Sequence, residues 1–164
     1  LNMQNKINEL IIKKLNDLHL TISTCESMTG GALAANLVLV EHASNSFLGS
    51  LVTYHADAKR KFAKVSEETI QRFGTVSKDC AREMAQGCQD GFKSDIAISV
   101  TGNASTSNPI EGQPSGMAYV CIKLFDKTYD YQFVSKYNNR VDTINQCVAF
   151  VLNNLWDLIK DLKK

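Results

Sequence analysis

Segments with strand-like and helix-like hydrophobic patterns alternate through the first two thirds of this chain. A β-prone stretch at 20–25 precedes a helical one at 29–39, and the apolar, β-prone stretch Phe47–Tyr54 precedes further helical segments. Because strands that alternate with helices are typical of parallel sheets covered by helices, this order predicts an α/β protein.

The remaining elements follow from periodicity and turn residues. Apolar residues at helical spacing predict an amphipathic helix over 4–19, and Ser66 and Ser77 are predicted N-caps of two further helices. The Ser77 helix is predicted to end at Gly91. The remaining predicted elements are a helix at 57–63, a strand at 95–101, a loop at 102–115, a hairpin of 116–125 and 128–134, and a helix from about 142 to 162. Together they predict a three-layer α/β/α sandwich with a mixed, mostly parallel sheet and a C-terminal hairpin plus helix. The length suits a single domain spanning residues 1–164.

Composition limits the partners and cofactors that we expect. A net charge of +1 gives no electrostatic footprint for nucleic acid or an anionic membrane. Five widely spaced cysteines without C-x-x-C, and three scattered histidines, indicate reduced thiols rather than disulfides or a zinc site. No secretory signal, membrane-spanning run or nucleotide-binding glycine loop is recognisable. We therefore expect a cytoplasmic protein that uses no metal and no cofactor.

The segment Cys25–Gly31, with the sequence CESMTGG, joins the first strand to the next helix. A hydroxyl on such a turn, beside two glycines, is well placed to act as a nucleophile facing free backbone N–H groups. The helix start adds a partial positive charge that favours an anion or an oxyanion. Ser27 is therefore a candidate nucleophile. The alternative is a plain junction in which Ser or Thr caps the helix and does no chemistry.

Three loops follow strands of the predicted sheet, at 26–31, 54–59 and 101–115. Ligands of open α/β sheets bind outside the carboxyl ends of the strands, so we expect these loops to share a crevice. Lys59 lies near a predicted helix start, where most lysines are simply solvated. If it is desolvated beside Ser27, its amine becomes a neutral base for the hydroxyl.

Other catalytic arrangements are open. Cys25 with His55 as its base is one, although a thiol within an apolar strand is more often an inert part of the core. Glu26 is either a general acid/base or a cap of the turn. The G-x-S-x-G motif is missing, although composition alone does not exclude a Ser-His-Asp triad.

Several motifs together resemble the C-terminal domain of the competence/damage-inducible CinA proteins, the nicotinamide mononucleotide (NMN) deamidases. That family carries Ala-Glu-Ser-x-Thr-Gly-Gly where this chain has CESMTGG at 25–31, and Tyr-Ser-Asn-x-x-Lys where it has YHADAK at 54–59. GTVS at 74–77, SVTG at 99–102 and QPSG at 113–116 resemble three further family segments in the same order. The resemblance covers residues 7 to 160, approximately the whole chain.

The resemblance implies hydrolysis of the NMN carboxamide to nicotinate mononucleotide and ammonia, in pyridine nucleotide salvage. It implies that Ser27 is the nucleophile, Lys59 its base and Tyr54 a support for proton transfer. The implied substrate-binding residues are Thr29, Gly30 and Gly31 as donors to the oxyanion or substrate, Ser44 and Thr101 as hydroxyls near the site, and Arg140 as the ligand of the 5′-phosphate. A homo-oligomer is a further expectation from the family.

The chain also departs from the family pattern. It has Asn-Ala-Ser-Thr at 103–106 where the family has Ile-Ala-Gly-Pro, His55-Ala56 where the family has Ser-Asn, and Ser50 in place of a glycine. We expect these positions to line the crevice. Two hypotheses therefore stand: an amidohydrolase that acts on NMN, and a catalytically silent nucleotide-binding domain of the same fold.

Overall fold

The computed structural model describes residues 3–105 and 114–164, with side chains from residue 6 onward. Most of the predicted 102–115 loop, including Thr106 and Gln113 of the motifs above, lies outside the described residues. The strands are β1 (Ile22–Glu26), β2 (Phe47–Val52), β3 (Ile96–Asn103), β4 (Met117–Leu124) and β5 (Lys127–Val134). The helices are α1 (Met3–Leu18), α2 (Ala32–Val38), α3 (Ala56–Ala63), α4 (Glu67–Phe73), α5 (Lys78–Phe92) and α6 (Arg140–Ile159).

The five strands form one sheet in the order β2-β1-β3-β4-β5. β2 and β3 both pair parallel to β1, β4 pairs antiparallel to β3, and β5 pairs antiparallel to β4. Four strands therefore point in one direction and only β4 is reversed, which confirms the predicted mixed, mostly parallel sheet with a terminal hairpin.

Helices cover both faces of the sheet and make the predicted three layers. Helices α1, α2 and α6 pack on one face over the larger apolar core, and α3, α4 and α5 pack on the other over a smaller one. The amphipathic patterns explain this arrangement, because the apolar side of the longer helices is the side that is buried, whereas α4 contributes only the partly buried Ile70. In α6 the buried apolar residues are Cys147, Val148, Val151, Leu152, Leu155 and Ile159.

Side-chain caps set the starts of several helices, among them α4, α5 and α6. The Ser66 hydroxyl accepts from the Thr69 amide and the Ser77 hydroxyl accepts from the Cys80 amide, both at 3.1 Å, so the two predicted N-caps are confirmed. Asn139 caps α6 in the same way by accepting from the amide of residue 142 at 2.9 Å. That cap makes α6 begin at Arg140, two residues earlier than predicted.

Helix α2 begins at Ala32, three residues later than predicted. Gly30 and Gly31 have φ values of +59° and +98°, which lie in the left-handed region that a continuous right-handed helix does not use. The segment between Ser27 and α2 is therefore a series of turns rather than the first turn of a helix.

The state of the cysteines and the apolar content of the helices can both be observed in the structure. The five cysteines are all buried and unbridged. In the part of the chain that the structure describes, no helix combines the length and the apolar content that crossing a bilayer requires.

Candidate active site

The carboxyl ends of β1, β2 and β3 meet at one edge of the sheet. β1 lies between the other two strands, so the chain passes from β1 to β2 on one side and then crosses to β3 on the other side. Open α/β sheets form ligand crevices where the strand order reverses in this way. A cavity of about 180 Å³ opens at this edge. It is lined by Ser27, Met28, Tyr54, Lys59, Thr75, Val76, Thr101, Gly102, Asn103, Ala104 and Arg140.

Ser27 and Lys59 meet at the floor of this cavity. Ser27 follows β1, and Lys59 lies on α3, which begins shortly after β2. Lys59 Nζ contacts Ser27 Oγ at 2.9 Å. Both residues are buried, with 1% of Lys59 and 6% of Ser27 exposed. The structure thus brings the two side chains together, and their catalytic roles stay predictions.

Burial shifts the Lys59 amine toward its neutral form relative to an exposed lysine. Nζ also donates to the backbone carbonyls of Thr53 at 2.7 Å and Tyr54 at 3.3 Å. Burial lowers the pKa of the Lys59 amine, because the charged form loses its hydration. A neutral amine has two N–H groups and one lone pair. If the two carbonyls accept the N–H groups, the lone pair faces the Ser27 hydroxyl.

Two thiols near the amine do not supply a counter-charge. Burial raises the pKa of Cys25 to about 11 and that of Cys80 to about 12, so both thiols are neutral near pH 7. The same burial argues against Cys25 as a nucleophile. His55, its proposed base, is exposed, and its Nδ1 accepts from the amide of Asp57 at 3.4 Å as the N-cap of α3.

Glu26 is fully buried and its carboxylate caps α2. Oε1 accepts from the Thr29 hydroxyl and the Leu33 amide, both at 2.8 Å, and Oε2 accepts from the Ala34 amide at 2.9 Å. An anion at this position is favoured by the positive end of the helix. Of the two roles considered for Glu26, the structure shows the cap. The start of α2 is therefore occupied by an anion of the protein itself.

Thr29, Gly30 and Gly31 are not among the residues that line the cavity, and their role as donors to the oxyanion or substrate stays a prediction. The Thr29 hydroxyl donates to Glu26 and the Gly30 amide donates to the Ser27 carbonyl at 3.0 Å. The left-handed turn at the two glycines directs the helix start toward Glu26. The Met28 amide is a better candidate donor: Met28 borders the cavity, and among the described residues this N–H has no protein acceptor.

The structure does not place Ser44 at this cavity, in contrast to the expectation from the family resemblance. It is exposed and lies in a short 3-10 turn, Ala43–Asn45, that leads into the amino end of β2. Ser27 lies beyond the carboxyl end of β1, which runs parallel to β2. The length of the sheet therefore separates the two hydroxyls.

Thr101, Tyr54 and Arg140 do border the cavity. The Thr101 hydroxyl donates at 2.6 Å to the Thr75 carbonyl, which holds the segment before α5 against the end of β3. Arg140 Nη2 donates at 2.6 Å to the phenol oxygen of Tyr54. Among the lining residues that the structure describes, Arg140 carries a positive charge and none carries a carboxylate. This distribution favours an anionic ligand.

The departures from the family pattern are only partly at the cavity. Asn103 and Ala104 line it, as expected. Ser50 instead accepts from the Thr24 hydroxyl at 2.7 Å, close to Glu26, and His55 caps α3. The expectation that all of these positions line the crevice is therefore corrected for Ser50, His55, Ala56 and Ser105, and Thr106 lies outside the described residues.

The structure adds site residues that sequence reasoning missed. Thr53 supplies a carbonyl to Lys59, and Thr75 and Val76 form part of the cavity wall. The signal for the last two was their place in a family-like segment, which we interpreted only as the start of a helix. Thr53 acts through its backbone, so its side chain carries no signal for this role.

The sequence of this chain matches a known protein family over almost its whole length. The family model of the CinA C-terminal domain matches residues 4–159. Protein MG115 of Mycoplasma genitalium is 37% identical over 153 residues, covering 93% of this chain and 97% of that protein. A CinA-like protein of Fusobacterium nucleatum is 41% identical over 122 residues, and the match covers 74% of this chain but only 29% of that longer relative.

A solved structure has the same fold along almost its whole length. The competence/damage inducible protein CihA from Agrobacterium tumefaciens superposes with a TM-score of 0.90 at 29% identity, and the match covers 94% of each chain. A family model that spans nearly every residue, a relative of similar length and a shared fold all agree. This chain belongs to the CinA C-terminal domain family.

Proposed function

We propose that this chain is an amidohydrolase that converts the carboxamide of NMN to a carboxylate and releases ammonia. The observation that carries the proposal is the buried contact of 2.9 Å between Lys59 Nζ and Ser27 Oγ. A serine beside a neutral lysine is a known form of activated nucleophile. The choice of NMN as substrate is supported by the family resemblance of segments 25–31 and 54–59.

The first half of the reaction forms an acyl-enzyme. The neutral amine of Lys59 accepts the hydroxyl proton of Ser27 while Oγ attacks the carboxamide carbon. We assign the Met28 amide to the developing oxyanion, because it follows the nucleophile and borders the cavity. The Lys59 ammonium then gives its proton to the leaving nitrogen. The C–N bond breaks, ammonia departs, and the nicotinoyl group is left as an ester on Ser27.

The second half regenerates the enzyme. Lys59, neutral again, accepts a proton from a water molecule whose oxygen attacks the ester carbon. When the tetrahedral intermediate collapses, the ester bond breaks and the Ser27 oxygen takes the proton back from Lys59. Nicotinate mononucleotide leaves, and the overall reaction consumes one water for each ammonia released.

Arg140 is the residue that we assign to the phosphate of the substrate. The sequence left open whether the start of α2 holds an oxyanion or a phosphate. Because the Glu26 carboxylate occupies that helix start, a phosphate there would meet a like charge. Arg140 borders the cavity and, among the described residues, forms no ion pair. Its guanidinium is thus suited to bind a phosphate through paired hydrogen bonds.

The proposal is tested by incubating the purified protein with NMN and measuring both ammonia and nicotinate mononucleotide. We expect stoichiometric formation of the two products. Ser27→Ala and Lys59→Met should each lower kcat by at least about 10³-fold, because each removes one half of the activated nucleophile. Ser23→Ala is a matched control, since Ser23 is a buried serine of β1 outside the cavity lining. Lys61→Met controls for loss of a lysine from α3.

The competing hypothesis predicts a different result. A silent nucleotide-binding domain would bind NMN without releasing ammonia, and Ser27→Ala would leave its affinity for NMN unchanged. Turnover that survives in both Ser27→Ala and Lys59→Met would also rule out the proposed mechanism.

A further inference from the structure

The phenol of Tyr54 contacts Arg140, the residue that we assign to the phosphate, rather than the nucleophile. Its oxygen accepts a hydrogen bond of 2.6 Å from Arg140 Nη2, across 86 positions of sequence. Among the described residues, the phenol has no hydrogen bond to Ser27 or Lys59. The contact between Tyr54 and Lys59 runs through the backbone carbonyl of Tyr54.

The hydrogen bond to Tyr54 restrains the side chain of Arg140. This arginine is an exposed residue at the first position of α6, and a free arginine side chain loses rotamer entropy when it is held in one orientation. The neighbouring carboxylate of Asp142 accepts from Asn139 Nδ2 at 2.7 Å and, among the described residues, forms no ion pair with Arg140. A phenol oxygen restrains the guanidinium without neutralising its charge. The charge is therefore kept for a ligand.

We propose that Tyr54 is a positioning residue for the substrate anion: its hydroxyl holds the Arg140 guanidinium at the cavity, ready for a phosphate, and carries no proton for Ser27 or Lys59. This inference rests on the proposed function for the identity of the phosphate-bearing substrate. It differs from the role in proton transfer that the family resemblance implies for Tyr54. It also makes Tyr54 and Arg140 one energetic unit, so that the effects of changing them are not additive.

The first test measures binding and does not depend on turnover. Inorganic phosphate is titrated into the wild-type protein, Tyr54→Phe and Arg140→Gln by calorimetry. We expect Arg140→Gln to lose most of the affinity and Tyr54→Phe to weaken it by about fivefold, the effect of one hydrogen bond. Tyr137→Phe is the matched control, because Tyr137 is also a half-exposed tyrosine but lies outside the cavity lining, and its affinity should equal that of the wild type. Unchanged phosphate affinity in Tyr54→Phe, or no phosphate binding by the wild type, overturns the inference.

The second test separates positioning from proton transfer. In steady-state assays with NMN, Tyr54→Phe should raise KM by about fivefold, with kcat and the pH profile of kcat close to those of the wild type. In an Arg140→Gln background the same change should add less than about twofold to KM, because the partner is already gone. A fall in kcat of about 100-fold or more with an altered pH profile, present in both backgrounds, would show that the phenol moves protons and would overturn the inference. If the wild type releases no ammonia, the proposed function fails, whereas the phosphate titration still decides the role of Tyr54.

Discussion

Lys59 Nζ lies 2.9 Å from Ser27 Oγ, although 32 positions separate the two residues in the sequence. The contact is buried, and the other two partners of the amine are backbone carbonyls rather than carboxylates. A lysine in such surroundings is held without an ionic partner, so its protonation is coupled both to activity and to folding.

The pH dependence of activity should report this amine. Burial lowers the pKa of Lys59 below its ordinary value of 10.5, and only the neutral amine can accept the Ser27 proton. We therefore expect kcat/KM for NMN to rise with pH through a midpoint below 10.5. Rate measurements across the neutral and alkaline range check this. A midpoint at or above the ordinary lysine value would contradict a desolvated base.

The pH dependence of stability should carry the same signature. Between the lowered pKa of folded Lys59 and the value of 10.5 in the unfolded chain, the unfolded state binds more protons, so the free energy of unfolding rises with pH. Lys59→Met removes this titration. We expect the free energy of unfolding of the wild type, minus that of the variant, to increase toward alkaline pH by at most about 1.4 kcal/mol per pH unit. Urea unfolding at several pH values measures it, and Lys61→Met, which changes an exposed lysine, should show no such trend.

Removing the charge of Glu26 should affect both folding and catalysis. Glu26→Gln keeps the shape of the side chain but places an amide against the N–H groups of Leu33 and Ala34. We expect a loss of about 1–3 kcal/mol in the free energy of unfolding. Because the carboxylate also holds the turn that follows Ser27, kcat should fall by about 10- to 100-fold. Glu41→Gln, at an exposed glutamate, is the matched control and should change neither quantity.

Two glycines of α5 should respond in opposite directions to alanine. A Cβ at Gly87 would lie 1.8 Å from the carbonyl oxygen of Ala63, the last residue of the helix that carries Lys59. Gly87→Ala should therefore destabilise the protein by about 1–3 kcal/mol. A Cβ at Gly91 would meet nothing within 4 Å, so Gly91→Ala should stabilise it by roughly 0.5–1 kcal/mol through helix propensity. Equal effects in urea unfolding would contradict the close approach of α3 and α5.

Ser44→Ala should leave the rate of NMN hydrolysis unchanged within about twofold, because Ser44 is exposed at the opposite edge of the sheet and outside the cavity lining. Steady-state kinetics with NMN provide the comparison. A loss of activity comparable to that of Ser27→Ala would contradict the position of the Ser44 hydroxyl outside the active site.

Local signals in the sequence were sufficient to predict the element types, the layer architecture and the two serine caps. Hydrophobic periodicity and N-caps act within a few residues, so Ser66 and Ser77 are recognisable without any knowledge of the fold. The sequence predicts too early a start for α2, because glycine permits the left-handed backbone conformation found at Gly30 and Gly31 but does not impose it.

The sequence by itself determined which chemical groups are present and which strands and helices carry them. Only the tertiary structure decided which groups share a cavity, because that depends on the order and direction of the strands. β5 runs in the same direction as β1 and β3, so the chain emerges at the edge where β1 ends and starts α6 there, with Arg140 beside Tyr54. Ser44 precedes a parallel strand instead of following one, and the same geometry therefore places it at the other edge.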